Sequence, residues 1–328
     1  MTRDFQKEDE FYKKDFKFSY SSLNKLLFSP SLFYKDYILL DREEKTEKYL
    51  IEGKLVHLLL FEPDQFDKTF NLVPGKTPSD SVIKVLKDMS MHTDAETLVD
   101  CDDWVILDSL KQLNLYQSLK LDEARVAKIR TDDAKEYWSF MNKSNLDIID
   151  QTTLEKCKKY VEVIKANPDV MALFHNPGSD FELDPVKTYA EKKLDCSLEE
   201  LPFGLKGIID FYKVDSDKKE ITIVDLKTTG KTISDFRETV DFYKYWLQAA
   251  VYIKLVLENA SKEEQDYDII FKFVVIDKYN QVYVFDVSDQ TLGQWAEGFK
   301  EVISQATYHY KNRDYSLPYE FLVNKVKL

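Results

Sequence analysis

After Pro185 the chain exchanges the rhythm of a helix for a two-residue alternation, and this switch limits the possible folds more than any other feature. Three segments rich in β-formers, YAEKKLDCSL (189–198), LKGIIDFYKV (205–214) and EITIVDLKTT (220–229), read as successive strands. A polar turn from Asp215 to Lys219 joins the last two. A long helix capped by Ser234 follows (SDFRETVDFYKYWLQAAVYIKLVLENA), then two more strands, DYDIIFKFVVID and QVYVFDV, separated by the hairpin signal Lys278-Tyr279-Asn280. A final amphipathic helix runs from about Gln290 to Tyr310. Strand–strand–strand–helix–strand–strand–helix predicts an α/β layered arrangement with a mixed sheet flanked by helices.

The N-terminal half reads as helical. From Phe18, SYSSLNKLLFSPSLFYKDYI gives two short helices with Ser19 or Ser21 as N-cap and a break at Ser29-Pro30. Glu47 to Phe61 is one helix, carrying Gly53 and His57 on one face. Residues from about 79 to 145 have helical spacing and form a helical elaboration without evident chemistry. A longer helix runs from Thr152 to about Ala166.

Composition narrows the class. A net charge of −13 argues against a protein that coats nucleic acid, but not against an enzyme that gathers carboxylates around metal. The longest apolar runs, such as Leu55 to Phe61, fall far short of the ~20 residues of a membrane span, so no membrane partner is expected. The first residues lack the apolar core of a secretion signal, which implies a cytoplasmic location. Three scattered cysteines, Cys101, Cys157 and Cys196, make neither a disulfide framework nor a metal cluster and read as buried thiols.

An acidic residue two before a lysine is common in this chain: Asp15-Phe16-Lys17, Asp133-Ala134-Lys135, Glu191-Lys192-Lys193 and Asp217-Lys218-Lys219 all fit. Only Asp225-Leu226-Lys227 closes an apolar strand, where ionisable groups are costly and a period of two aims Asp225 and Lys227 at one face. Asp210, flanked by Ile208, Ile209 and Phe211, is a second carboxylate inside an apolar run, and a short hairpin sets it beside Asp225. Oxygen donors converging at a sheet end suit Mg²⁺ or Mn²⁺, with Glu191 as a candidate third. On the long helix Gln248 and Tyr252 stand at i and i+4, an amide and a phenol on one side.

Taken singly these residues have ordinary uses. His57 on an apolar helix is by default a core histidine, Asp210 and Asp225 could be turn residues, and Lys227 could form a surface ion pair. Gln248 and Tyr252 could simply pack. Tyr243, Tyr245 and Trp246 form an aromatic cluster suited to core packing or to stacking on a frayed base. Lys13-Lys14 and Lys158-Lys159 read as solvated faces.

Taken in order, the blocks SYSSLNKLLFSPSLFY, GKLVHLLLFEPDQF, ANPDVMALF, AEKKL, LKGIIDFY, IVDLKTT and YWLQAAVY resemble the PD-(D/E)XK nucleases of the RecB/RecE type. That group includes phage recombination exonucleases similar to lambda exonuclease. The resemblance implies a restriction-endonuclease-like core that cleaves DNA phosphodiesters with Mg²⁺ or Mn²⁺. It implies one nuclease domain over 1–328, with a helical part at 1–150 contributing His57 and the core at 151–328. By position, His57, Asp210, Asp225 and the Leu226 carbonyl become metal ligands. Lys227 positions or deprotonates the attacking water, Glu191 joins the catalytic set, and Gln248 and Tyr252 contact DNA and support the site. Many relatives carry four cysteines on an iron–sulfur cluster; the three here point to the branch without one, acting on linear duplex ends. A homo-oligomer and a single-strand annealing recombinase as partner are implied in the same way. A catalytically silent DNA-end binder or a structure-specific endonuclease on the same fold are the alternatives.

Overall fold

The computed structural model describes residues 11–12, 15–41, 47–143, 146–174, 185–198, 203–323 and 326; the Lys13-Lys14 pair lies outside them. The chain forms two compact units, one of residues 1–63 with 157–328 and one of residues 64–156. The helix bearing His57 is thus grouped with the large sheet, a division drawn on other lines than the parts expected at 1–150 and 151–328.

Helix ends follow local chemistry. Ser19 caps α1 (Tyr20–Phe28) in a reciprocal pair: its hydroxyl accepts from the Ser22 N–H and Ser22 Oγ accepts from the Ser19 N–H. Ser29 ends α1 and caps α2 (Pro30–Phe33), whose first residue, Pro30, has no N–H to leave orphaned. After a π-turn at Tyr34–Ile38 comes α3 (Lys48–Phe61), beginning after Glu47 as its pattern predicts.

The 64–156 unit contains α4 (Phe66–Thr69), β1 (Phe70–Leu72), α5 (Asp80–Met89), α6 (Asp103–Gln112), α7 (Asp122–Ile129), α8 (Asp132–Asn142) and β2 (Asp147–Ile149). Its helices close over their own core of Val85, Leu86, Met89, Ile106, Ile129 and Trp138, and the Trp138 indole N–H donates to the Ala95 carbonyl at 3.0 Å. The parallel β1–β2 pair was not expected: three residues a side carry too little alternation to be read.

After α9 (Gln151–Ala166) and α10 (Pro168–Phe174), the other unit adds β3 (Val186–Ser197), β4 (Gly204–Asp215), β5 (Glu220–Thr229), α11 (Phe236–Phe242), α12 (Tyr245–Asn259), β6 (Asp268–Asp277), β7 (Val282–Asp286), α13 (Asp289–Asn312) and α14 (Tyr319–Leu322). The sheet order is β3-β4-β5-β6-β7, antiparallel throughout except for the parallel β5–β6 pair, which the α11–α12 crossover makes possible. This is the expected restriction-endonuclease-like mixed sheet flanked by helices. Ile221, Ile223, Phe271, Phe273 and Val275 meet Leu247, Val251 and Leu255 in its core. Gly207 permits that approach, since a Cβ there would lie 3.0 Å from Leu255.

One expectation is corrected. The long helix from Ser234 is two helices: Ser234 sits in a 3-10 turn capped by Thr232, and Lys244 breaks the run in a left-handed conformation, φ 54° and ψ 44°. A lysine pays a steric penalty of roughly 1 kcal/mol there, and since no Gly or Asn marks the position the break was invisible to pattern.

The sheet also opens. The β4–β5 ladder runs from Asp215↔Glu220 to Phe211↔Val224 and stops, while β5 stays paired with β6 through Thr229 and β4 with β3 back to Gly204. Phe18 takes part of the freed β4 edge: its N–H donates to the Gly204 carbonyl and its carbonyl accepts from Lys206, both at 2.8 Å. The Lys206 ammonium secures the preceding segment by donating to the Tyr12 and Asp15 carbonyls at 2.7 and 2.6 Å. No helix among the described residues is long and apolar enough to cross a membrane.

Candidate active site

The first residue pair beyond the end of the β4–β5 ladder is Asp210 and Asp225. Asp210 Oδ2 accepts from the Leu226 backbone N–H at 2.8 Å, so a carboxylate satisfies a donor that the parting strands leave exposed. Sheet geometry therefore fixes one oxygen of Asp210 where the strands part.

Glu191 faces Asp210 from β3. The β3–β4 pairing passes from Ala190↔Phe211 to Lys192↔Ile209 and skips Glu191, whose φ of 47° lies in the left-handed region. An extended side chain rarely adopts this conformation, and it is held here by flanking ladder on both sides. His57 on α3 completes the cluster: Nδ1 lies 3.1 Å from Glu191 Oε1, Nε2 lies 3.1 Å from the Leu226 carbonyl and 3.8 Å from Asp210 Oδ2. One ligand atom each from His57, Glu191 and Asp210 lies within 4.8 Å of the others. Both imidazole nitrogens thus face oxygens.

Asp225 is fully buried. The Lys227 ammonium stands 2.7 Å from its Oδ2, a buried ion pair. Burial pushes the Asp225 carboxyl up to about 7, with the Asp210 carboxylate adding to the rise and Lys227 opposing it. For Lys227, burial works against the charge, yet Asp225 and Asp210 outweigh it and hold the ammonium protonated above its usual range.

Helix α12 positions that ammonium. Gln248 Oε1 accepts from Lys227 at 2.9 Å, Gln248 Nε2 donates to the Tyr252 hydroxyl at 2.7 Å, and the Tyr245 ring lies 4.6 Å under the ammonium. Burial raises the Tyr252 hydroxyl well above its ordinary value, so the phenol stays neutral.

The structure therefore brings together every residue singled out in the sequence: His57, Glu191, Asp210 and the Leu226 carbonyl in one cluster, Asp225 and Lys227 beside it, Gln248 and Tyr252 behind. Glu191 sits nearer His57 and Asp210 than its weak sequence context suggested. Gln248 and Tyr252 are buried, Gln248 bonded to Lys227 and Tyr252 to Gln248. Tyr245 was read as part of an aromatic cluster, without its contact to Lys227. Its spacing was a usable signal, since 245, 248 and 252 stand at i, i+3 and i+7 on one helical face. Cys101, Cys157 and Cys196 are buried and not joined in a disulfide.

The donor set fits a divalent cation. Two carboxylates and an imidazole converge beside the Leu226 carbonyl, and Asp225 adds buried carboxylate oxygens next to them, a set of hard oxygen donors of the kind such an ion takes.

Comparison with known proteins agrees with this geometry. A sequence model of the PD-(D/E)XK nuclease superfamily matches residues 17–316. No curated protein matches the sequence. Among solved structures, one described as a "Putative exonuclease" from Eubacterium rectale is similar in fold, with a TM-score of 0.50 and 12% identity over 100% of this chain and 89% of that one. A second, SSO0001, has 12% identity over 69% of this chain and 87% of its own, with a TM-score of 0.23 that carries no argument.

Proposed function

The chain belongs to the PD-(D/E)XK nuclease superfamily, and from that premise we propose that it is a Mg²⁺- or Mn²⁺-dependent deoxyribonuclease that degrades linear duplex DNA from its ends. The observation that carries the reading is the opening between β4 and β5, where Glu191, Asp210, Asp225 and Lys227 converge with His57 among buried apolar residues of β4 and β5. A protein with no chemistry to perform there has no physical need for that many buried charges.

In this reading His57, Glu191, Asp210, Asp225 and the Leu226 carbonyl hold the metal. The chemistry such an ion would supply there is acidification of a bound water and neutralisation of charge on the phosphate. The protein's own residues do the positioning. Asp210, tethered to the Leu226 N–H, presents one fixed oxygen, and α3 brings His57 to the same point. Lys227 is held as a cation between Asp225, Gln248 and the Tyr245 ring, which favours orienting water and stabilising phosphate charge over accepting a proton. Gln248 and Tyr252 keep its ammonium in place.

The preference for ends draws support from the resemblance to RecB/RecE-type nucleases and from the description of the Eubacterium rectale neighbour. Action in recombination or repair, a cytoplasmic location, a homo-oligomer around DNA and delivery of product to an annealing recombinase belong to the same reading and rest on the resemblance alone.

The test is end-labelled linear duplex beside covalently closed circular DNA, with Mg²⁺ or Mn²⁺ and with chelator. Metal-dependent release of mononucleotides from the linear form only is the expected result. Cutting of both forms would replace the exonuclease with an endonuclease, and binding of ends without any cutting would make the protein a silent end-binder.

A further inference from the structure

Past Lys227 the site continues outward as a row of aromatic rings. Tyr245, under the ammonium, stacks on Tyr243 with 5.6 Å between centroids and 25° between planes, and Tyr243 meets Phe242 edge-on at 4.9 Å. The row passes from interior to surface: Tyr245 is half-buried, Tyr243 is 44% exposed and Phe242 is 71% exposed. Trp246 does not belong to it, since its ring packs against Gly298 of α13, where a Cβ would lie 3.1 Å away.

The backbone that carries the outer rings is anchored. Lys244 turns the chain sharply between α11 and α12, and the Tyr243 carbonyl accepts from the Tyr20 hydroxyl and, at 3.5 Å, from the Asn24 amide. A surface that is already ordered loses little freedom on binding. Positive charge borders its outer end, with the exposed Lys231 ammonium 5.7 Å from the Phe242 centroid.

We propose that Phe242 and Tyr243 form a nucleobase-stacking platform at the mouth of the site, taking unpaired terminal bases of the strand whose phosphate lies at Lys227. The proposal rests on the reading of the chain as a DNA nuclease and adds what holds the strand. Any base presents a π-face to an aromatic ring, and lysines take the phosphates between, so the platform is indifferent to sequence. Bases inside a duplex are stacked on one another and cannot use these rings; frayed ends can.

The test uses linear duplexes with 2-aminopurine, a base whose fluorescence falls on stacking, at the terminal positions. Binding is followed in chelator and cleavage separately with Mg²⁺. Wild-type protein should quench the terminal probe. A Phe242→Ala/Tyr243→Ala variant should not quench it, and its KM should rise roughly tenfold or more while kcat changes little. Tyr243→Phe, which keeps the ring, should behave as wild type, and unchanged thermal midpoints would show that these exposed truncations leave the fold intact. Equal quenching and equal KM in the double variant would overturn the platform. So would cutting by a wild-type protein that does not quench, which leaves the nuclease reading standing. Quenching by a wild-type protein that never cuts, lost in the double variant, would uphold the platform and overturn the nuclease. Failure to bind ends at all would overturn both.

Discussion

Asp225 carries the most weight of any single residue, because it is fully buried with the Lys227 ammonium against its carboxylate. Its position at the end of an apolar strand was legible in the sequence, as was its pairing with Lys227 on one face. The left-handed backbone of Glu191 was not, since only the flanking pairing with β4 forces it. Burial raises the Asp225 carboxyl from 3.8 to about 7, so the folded, metal-free protein takes up a proton there that the unfolded chain does not. The stability from this uptake is complete below the unfolded value and is lost as pH rises through about 7. In chelator, the thermal midpoint of wild type should therefore fall relative to Asp225→Asn across that window. Parallel pH profiles for the two proteins would show that Asp225 does not titrate in this way.

At the scale of elements, the strands of the sheet were legible because β3 to β7 alternate strongly and end at polar turns. Two features were not. The break at Lys244 hides in a continuous helical pattern, yet it turns Tyr243 outward and Tyr245 toward Lys227. The early end of the β4–β5 ladder is a tertiary property: Phe18, distant in sequence, takes part of the freed edge of β4. The opposite edge of β4, paired with β3, limits substitution. A Cβ on Gly204 would lie 2.1 Å from the Cys196 carbonyl oxygen, a backbone atom that cannot swing aside. Gly204→Ala should lower stability by ~3 kcal/mol, of the order of an overpacked core position, measured by denaturant unfolding. A loss within ~0.5 kcal/mol, typical of a neutral surface change, would mean that β3 and β4 yield easily there.

For the molecule as a whole, the net charge of −13 is compatible with a DNA substrate because positive groups stand locally where the strand is proposed to lie, Lys227 in the site and Lys231 beside Phe242. Family and sheet architecture were readable from ordered blocks along the chain. The 64–156 unit was readable only as helices, since its residues carry a core and no chemistry that the sequence marks. The central claim is that hydrolysis takes place where β4 and β5 part. Its most direct test is the rate of cleavage of linear duplex DNA, with Mg²⁺ or Mn²⁺, by wild type, Asp225→Ala and Lys227→Ala, each checked for an intact fold by circular dichroism. The account predicts that both variants stay folded and lose ~10³-fold or more of the rate, as expected when a metal-holding or charge-stabilising group is removed. Folded variants that cut at the wild-type rate would contradict it and place the chemistry elsewhere.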